Sequence, residues 1–296
     1  MPQDEMSFWD HLEELRWTIF RILLALLVFT IAGFAVMKSL FDNVVMAPVY
    51  YDFALYKYLC TFTQSLDALH VGWLLPNFCE GIGEEVARGA NGEEIRPAFV
   101  HIQNIKLASQ FFTHMTSSFY FALLLTFPYL IFEIWRFVSP ALYEHEKRNV
   151  RWVFTFGTAM FFIGCLLGYF IVFPITLRFL GTYHVSNIVE NIISLDSYMS
   201  SFLMLVLIMG IAFELPLLCW LLSQMRMLNK KFFRQYRRYA IVGLLIAASF
   251  ITPSGDPFTL MVVFLPLYML YELSAFFVKE APKEDEEEVA EVTKTS

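Results

Sequence analysis

The chain has 296 residues, of which 57% are hydrophobic, 18% aromatic and 17% charged, and 21 basic against 28 acidic side chains give a net charge of −7. Soluble globular domains average about 45–50% apolar and about 25% charged residues. This composition therefore excludes an ordinary soluble domain, and the same apolar excess excludes an intrinsically disordered chain. What remains to be decided is whether the apolar residues form membrane-length runs.

Six runs almost free of charged residues follow one another along the chain. They cover residues 17 to 37, 109 to 135, 152 to 177, 197 to 225, 239 to 255 and 257 to 271. A helix needs about 20 apolar residues to cross the hydrocarbon layer, and the first four runs reach that length. The last two are short and interrupted by prolines, so we expect local thinning of the bilayer or shelter against neighbouring helices. The sequence predicts an all-α polytopic membrane protein with six transmembrane helices.

The distribution of basic residues predicts the orientation of these helices. Ten Lys and Arg residues lie in the loops after the second and fourth runs: Arg136, Lys147, Arg148, Arg151, Arg226, Lys230, Lys231, Arg234, Arg237 and Arg238. The connection from 178 to 196 holds Arg178 alone, and the turn from 252 to 256 holds none. Short loops rich in Lys and Arg stay in the cytoplasm. Both termini are therefore predicted to be cytoplasmic.

Three appendages surround the predicted membrane domain of residues 17 to 278. Residues 1 to 16 are acidic and amphipathic, which argues against a cleavable signal peptide and predicts a cytoplasmic segment before the first span. Residues 38 to 106 form a long exported loop whose centre, rich in Gly and Glu, predicts a surface insertion or hairpin. Residues 279 to 296 form a charged cytoplasmic tail, which we expect to be disordered.

The four cysteines show no metal-binding motif. Cys165 and Cys219 fall within apolar runs and are predicted to be packing residues. Cys60 and Cys79 both lie in the exported loop, where an oxidising compartment permits a disulfide, and the sequence leaves open whether they pair or remain thiols.

Motifs of intramembrane enzymes are missing from the sequence. There is no His-Glu-x-x-His pair and no Gly-x-Ser-x-Gly elbow. His114, Ser117 and Ser118 indicate a packed polar turn rather than a catalytic group. We expect no catalytic residue, no metal and no cofactor.

A few acidic residues stand out because a charge at membrane depth costs at least about 2.5 kcal/mol on insertion scales. Glu214 lies deep in the fourth run, either as a site for a partner or substrate or as a protonated side chain bonded to a neighbouring helix. Glu133 lies near the end of the second run, where Arg136 at i+3 is the expected partner.

Acidic residues from two separate segments also face the predicted cytoplasm. Glu13 and Glu14 precede the first run, and Glu144 and Glu146 follow the second. Carboxylates grip guanidinium groups bidentately, so two convergent pairs would fit a cationic, partly apolar peptide. A simply solvated face is the alternative.

Four motifs, in order, raise that hypothesis. HLEELR at 11 to 16, FEIWRFVSPALYEHEKR at 132 to 148, FELP at 213 to 216 and TPSGDPF at 252 to 258 together resemble the TatC family, the multispanning receptors of twin-arginine protein translocation. The resemblance implies a glove-shaped curved bundle in the bacterial cytoplasmic membrane. It also implies a substrate class, namely folded precursor proteins whose signal peptides carry two consecutive arginines.

Site residues follow by position from the same resemblance. It implies that Glu14 and Glu146 receive the arginine pair, with Arg16, Phe137 and Pro140 in the surrounding motifs.

The resemblance further implies contacts with partner subunits. Glu214 matches the polar position that faces the groove, Pro48 the proline of the first exported loop, and Asp256 the acid of the last exported turn. The implied partners are single-span TatA and TatB-type subunits, in a hetero-oligomeric complex containing several copies of this chain and driven by the proton gradient. We expect no nucleic-acid partner. PALY replaces the family's common PGLY, and the insertion from about 50 to 100 is longer than usual.

Two other classes remain as alternatives at this point. A proton-coupled secondary transporter would use Glu214 as its coupling site. An intramembrane protease would depend on His114 or Ser118.

Overall fold

A computed structural model describes the helical body of the chain. The described residues are 8–67, 79, 87–88, 94–95, 97–138, 144–183, 186, 191–224, 228, 230–252 and 255–278. Their helices are α1 (Phe8–Leu40), α2 (Ala54–Asp67), α3 (Ser109–Val138), α4 (Glu144–Leu167), α5 (Phe173–Thr182), α6 (Leu195–Ala212), α7 (Leu215–Gln224), α8 (Lys230–Ile251) and α9 (Pro257–Phe277). The strands are β1 (Ala87–Arg88), β2 (Glu94–Ile95), β3 (His101–Gln103) and β4 (Ile192–Ser194). The predicted all-α polytopic membrane class is confirmed.

Five helical segments of the described chain are long and apolar enough to cross a membrane. They are Leu12–Val49, Ser109–Ile134, Thr155–Thr182, Leu195–Ser223 and Pro257–Phe276. The fifth predicted span, 239 to 255, is the one that does not qualify. It forms the C-terminal part of α8, whose N-terminal part is basic, so an apolar window of spanning length does not fit into this helix.

The third and fourth spans are each interrupted near a proline. The third consists of α4, a π-helical turn at Gly168–Val172 and α5, which has Pro174 in its first turn. The fourth consists of α6 and α7, with the chain turning at residues 213 and 214 just before Pro216. Proline has no N–H to donate and its ring clashes with the preceding turn, so the helical ladder is interrupted at both places.

Helices α4 and α6 approach each other closely because glycines line their contact. A Cβ atom on Gly164 would lie 2.6 Å from the Met209 carbonyl oxygen, and one on Gly168 would lie 3.0 Å from the Val206 Cα. In the other direction, a Cβ on Gly210 would collide with the Cys165 sulfur. Small residues at helix contacts within the membrane allow backbones to meet, and packing then holds the helices together.

This contact gives a stability prediction. Gly164→Ala should lower the unfolding free energy by about 1–3 kcal/mol. The added methyl group would lie 2.6 Å from the Met209 carbonyl oxygen and 2.8 Å from Cβ and Cγ of Phe213. Gly243→Ala on α8 is the matched control, since the methyl group added there has nothing within 4 Å. Thermal unfolding of the purified chain in detergent measures both. Equal unfolding temperatures for the two variants would contradict the close contact.

The face of the molecule that lies away from the start of α1 contains the ends of α1 and α5 and the starts of α3, α6 and α9. We call it the opposite face. Strands β3 and β4 pair there in parallel, with His101 opposite Ile192, and so join the first long loop to the connection before α6. Lys106 lies 2.9 Å from the Asp196 carboxylate, which also accepts a hydrogen bond from the Ser109 hydroxyl. The two loops therefore form one cap over the helices.

The long loop is cross-linked by a disulfide. Cys60 on α2 and Cys79 form a disulfide with their Cα atoms 4.7 Å apart, which answers the question that the sequence left open. Strands β1 and β2 pair as a short antiparallel hairpin, in agreement with the hairpin predicted for the centre of the loop. The helix α2 and the hairpin thus add structure to the cap.

A buried arginine lies beneath this cap. Arg178 of α5 is 1% exposed, and its guanidinium carbon lies 5.0 Å from the ring centre of Tyr51, 5.8 Å from that of Tyr56 and 4.7 Å from that of Phe99. These distances fall within the range of cation–π attraction. We name Arg178 and these three rings the arginine cage. The arginine cage holds the long loop against α5. From the sequence, Arg178 was noted only as the single cation of the connection from 178 to 196.

The hydroxyl of Tyr56 extends the cage into the backbone. It donates a hydrogen bond of 2.7 Å to the Pro48 carbonyl oxygen. Burial raises the pKa of Tyr56 far above its ordinary value, and the Arg178 charge opposes only part of this shift. The hydroxyl therefore stays protonated and able to donate.

Candidate functional site

The N-terminal face, where α1, α4 and α8 begin and α3, α7 and α9 end, contains the sequence-predicted acidic site. Helices α1 and α3 run antiparallel and are joined near this face by an ion pair, with Arg21 Nε 3.9 Å from Glu133 Oε2. Glu133 is 2% exposed and also accepts a 2.8 Å hydrogen bond from the Tyr129 hydroxyl. The predicted local pairing of Glu133 with Arg136 is wrong, because Glu133 pairs with Arg21 of the neighbouring helix α1.

This ion pair is the feature that sequence reasoning missed. Arg21 and Glu133 are each the single charge of an apolar run. Each lies near the same end of its span in the membrane, and two opposite charges at equal depth in adjacent spans are a usable signal for a pair.

The ion pair fixes the relative depth of the site residues beyond it. Glu14 lies seven residues before Arg21 on α1, or about 10 Å further along the axis at about 1.5 Å per residue. Phe137 lies four residues after Glu133 on α3, about 6 Å further in the same direction. Glu14 is half-buried and Arg16 is exposed. The structure therefore brings Glu14 and Phe137 to one face.

Glu146 arrives at this face from α4. Helix α3 packs against α4 through the stacked rings of Phe127 and Phe161, whose centres are 3.4 Å apart. From Phe161, the chain runs back fifteen residues to Glu146 in the first turn of α4, about 22 Å toward the N-terminal face. The backbone thus places Glu146 on the face that contains Glu14 and Phe137. The side chain of Glu146 and the whole of Pro140 lie outside the described residues.

The backbone brings acidic residues of α1 and α4 to the face that also contains Phe137 of α3. Glu146 lies in the first turn of α4, where the helix dipole favours acidic residues. Ionised carboxylates accept paired hydrogen bonds from a guanidinium group, and the Phe137 ring supplies apolar surface nearby. This chemistry suits a peptide that is both arginine-rich and partly apolar.

A second acidic position lies at the break between α6 and α7. Glu214 is half-buried, and its Oε1 is shielded from solvent without a hydrogen-bond partner among the described residues. Its Oε2 would lie 3.3 Å from a Cβ on Gly157, so the carboxyl group points at α4. A buried, unsatisfied carboxyl oxygen is rare and costly, especially at membrane depth.

Asp256 and Pro48, the other two residues of the predicted partner surface, both have structural contacts on the opposite face. Asp256 is the N-cap of α9, where its Oδ1 accepts a 2.8 Å hydrogen bond from the Thr259 N–H. Pro48 is buried in a 3₁₀ turn at Ala47–Val49, and its carbonyl accepts the Tyr56 hydroxyl. The N-cap contact accounts for the aspartate at 256, and the position of Pro48 at the start of a 3₁₀ turn suits a residue without an N–H.

An apolar cavity of about 490 Å³ lies between α1, α3, α4 and α6. Its walls include Met37, Phe121, Phe162, Cys165, Phe202 and Val206. These residues belong to the half of the bundle near the opposite face, and Glu214 is not among them. The cavity is therefore a separate feature from the unsatisfied carboxyl group.

The serine and histidine of the protease alternative are engaged with backbone. The Ser118 hydroxyl donates to the His114 carbonyl oxygen at 2.7 Å, and Ser117 donates to the Thr113 carbonyl at the same distance. The His114 ring stacks on Phe34 and its Nε2 lies 3.1 Å from the Phe34 carbonyl oxygen. This is the packed polar turn that the sequence indicated.

Comparison with known proteins identifies the family. Residues 10–266 match the family model described as Sec-independent protein translocase protein (TatC). The chain belongs to the TatC family. The TatC protein of Blattabacterium sp. subsp. Periplaneta americana is 31% identical over 274 residues, covering 93% of this chain and 95% of that protein.

Solved structures agree with this membership. A crystal structure of the twin-arginine translocase receptor TatC matches with a TM-score of 0.66 at 25% identity, covering 90% of this chain and 97% of that one. A second, of the same receptor in DDM, matches with a TM-score of 0.68 at 26% identity, covering 91% and 99%. The TatC resemblance is confirmed, and so is the assignment to protein transport: the chain is a translocase subunit rather than an enzyme or a solute transporter.

Proposed function

We propose that this TatC chain binds twin-arginine signal peptides at its N-terminal face, which we place in the cytoplasm. The observation that carries the proposal is the depth of Glu14, which lies beyond the Arg21–Glu133 ion pair on the face where α4 presents Glu146. Each carboxylate takes one guanidinium of the arginine pair. Arg16, Phe137 and Pro140 surround the pair and position the peptide.

The ion pair lies directly below the proposed site. Arg21 and the buried Glu133 connect α1 to α3 one to two helical turns below Glu14 and Phe137, so these two residues lie at similar depths. A preorganised pair of acids loses little conformational entropy when the peptide binds. In this proposal Glu14, and with it Glu146 from α4, recognises the two adjacent arginines by their charge.

The test of this function is capture of the detergent-solubilised chain by an immobilised signal peptide. We expect strong retention on a peptide with Arg-Arg and about tenfold weaker retention on the same peptide with Lys-Lys, because lysine cannot bind a carboxylate bidentately. Equal retention on both would reject recognition by paired carboxylates. No retention on either, with the chain still folded, would reject peptide binding by this subunit alone.

We further propose that Glu214 contacts a partner helix. Single-span TatA and TatB-type subunits are the proposed partners, in a complex with several copies of this chain, and the proton gradient supplies the energy. The unsatisfied Glu214 Oε1 supports this role, since a polar group from an incoming helix would supply the missing hydrogen bond. Pro48 and Asp256 are proposed to shape the partner surface on the exported side.

Substitution at Glu214 separates the two roles. Glu214→Ala should weaken co-purification of the single-span subunits about tenfold, by loss of one hydrogen bond at membrane depth, and leave peptide capture unchanged. Cys219→Ala, five residues further on α7 and half-buried, is the control that should change neither. Loss of peptide capture with intact co-purification would reverse this division of roles.

The proposed location is the bacterial cytoplasmic membrane with both termini in the cytoplasm. It rests on the Lys and Arg residues of the loops at the N-terminal face. Accessibility of a cysteine introduced at Gln235 on α8 to a membrane-impermeant reagent tests it. Labelling in inverted vesicles and not in intact cells is the expected result.

A further inference from the structure

The N-terminal part of α8 has a basic face. Lys230, Arg234 and Arg238 recur at four-residue spacing and therefore line one side of the helix. Arg234 and Arg238 are exposed, and the described residues provide neither with an acidic partner. We name these three residues the basic face.

The neighbouring Arg237 is different because α9 already neutralises it. Its Nη2 donates to the Tyr268 hydroxyl at 2.8 Å and lies 2.5 Å from Glu272 Oε1, and the Tyr268 hydroxyl donates to the same carboxylate at 2.7 Å. This cluster anchors α8 to α9. It uses up Glu272, so Arg234 and Arg238 have to find their counter-charge elsewhere.

The end of α9 lies close to the basic face. The Tyr271 hydroxyl donates to the Phe233 carbonyl oxygen at 2.9 Å, and the centres of the two rings are 5.3 Å apart. From that level α9 continues six residues to Phe277, about 9 Å, whereas α8 begins three residues before Phe233. Residue 278 therefore lies near the start of α8, at the same end of the two helices as the basic face.

The segment that follows has the complementary charge. Residues 279 to 296 hold seven acidic and three basic residues, and five of the acids are consecutive at 284 to 288. The five residues from 279 to 283 span up to about 17 Å when extended, at up to about 3.4 Å each. The axial distance back from residue 278 to Arg234 is about 12 Å, and to Arg238 about 18 Å, at about 1.5 Å per helical residue. The acid run therefore reaches the basic face.

We propose that the acidic run 284 to 288 docks on the basic face of α8 within the same chain. The contact is electrostatic and needs no fold of the tail itself. Exposed ion pairs are individually weak, but five acids tethered beside Arg234 and Arg238 act at a high effective concentration. Docking covers a cationic surface next to the membrane and so withholds it from anionic lipid headgroups and from acidic partners.

The test is a distance measurement by electron paramagnetic resonance between spin labels at Gln235→Cys and Val289→Cys. Cys165 and Cys219, the two free cysteines, are replaced by alanine, and the Cys60–Cys79 disulfide is retained. In low salt we expect a distance distribution concentrated at short separations. Arg234→Gln with Arg238→Gln should shift it to longer separations, and so should about 1 M salt on the unsubstituted chain, where the screening length falls to about 3 Å.

Controls and alternatives are decided by the same measurement. Lys38→Gln with Lys57→Gln removes two exposed cations away from α8 and should leave the distribution unchanged. A broad, long distribution in low salt, or a short one that ignores both salt and the arginine substitutions, overturns the proposal. The labelled chain is also compared in phosphatidylcholine and phosphatidylglycerol nanodiscs. A short distance in both supports docking, whereas release in phosphatidylglycerol shows that the membrane occupies the basic face and overturns it.

Discussion

Charge reversal at either acid of the proposed site should abolish crosslinking of a twin-arginine peptide. Glu14→Lys or Glu146→Lys removes a charge-assisted bond of about 1.5–3 kcal/mol and replaces it by repulsion between two cations. An overall loss of about 3 kcal/mol corresponds to more than about a hundredfold in affinity. The measurement is photo-crosslinking of a signal peptide that carries the probe beside its arginine pair.

Glu13→Lys provides the matched control on the same helix. Glu13 is exposed, adjacent in sequence to Glu14, and points about 100° away around α1. It changes the net charge of the N-terminal face by the same amount and should reduce crosslinking by less than about twofold at physiological salt, where exposed charges are screened. Undiminished crosslinking in both Glu14→Lys and Glu146→Lys would contradict the site, provided that both variants insert and unfold at the temperature of the unsubstituted chain.

The helical architecture could be read from the sequence because the bilayer imposes one length scale. Apolar runs of at least about 20 residues have to be helices, and the predicted run of 109 to 135 lies within α3 (Ser109–Val138). The weakest of the predicted spans is explained by the same rule. Its apolar part begins only at Tyr239, so α8 combines a cationic half with a short apolar half. Hydropathy therefore identifies the apolar half of α8 but not the full extent of the helix.

Contacts between distant segments could not be read in the same way. The pairing of β3 with β4 involves three residues on each side, with no periodicity long enough to recognise. Pro216 indicates an interruption near residues 213 and 214, yet the direction of the Glu214 carboxyl toward Gly157 depends on the packing of α4. Hydropathy patterns predict elements, whereas side-chain environments depend on which elements meet.

The candidate site shows the same division. Acids at Glu14 and Glu146 are visible as charges beside apolar runs, and their motifs suggested a role. Their convergence depends on α1, α3 and α4 meeting at one end, which is seen through the Arg21–Glu133 pair and the stacked Phe127 and Phe161 rings. The sequence shows both charged residues of the ion pair, but it does not show that they are neighbours in the fold.

The arginine cage should be the largest single contribution to stability among the polar groups of the described chain. Arg178→Ala removes a guanidinium that is 1% exposed and lies against three rings, leaving a cavity where the long loop meets α5. We expect a loss of about 3 kcal/mol, combining lost packing with lost cation–π attraction, and a fall in unfolding temperature of several degrees.

Substitutions of graded similarity separate the causes of this loss. Arg178→Met keeps an unbranched stem and should recover part of the packing. Arg178→Lys keeps the charge and should recover part of the cation–π attraction, so both should fall between Ala and Arg. Lys57→Ala, which removes an exposed cation on α2, is the control that should leave the unfolding temperature unchanged. Because the cage lies at the opposite face, Arg178→Ala should retain peptide capture below its unfolding temperature. An unchanged unfolding temperature in Arg178→Ala would show that the cage does not hold the loop to the membrane body.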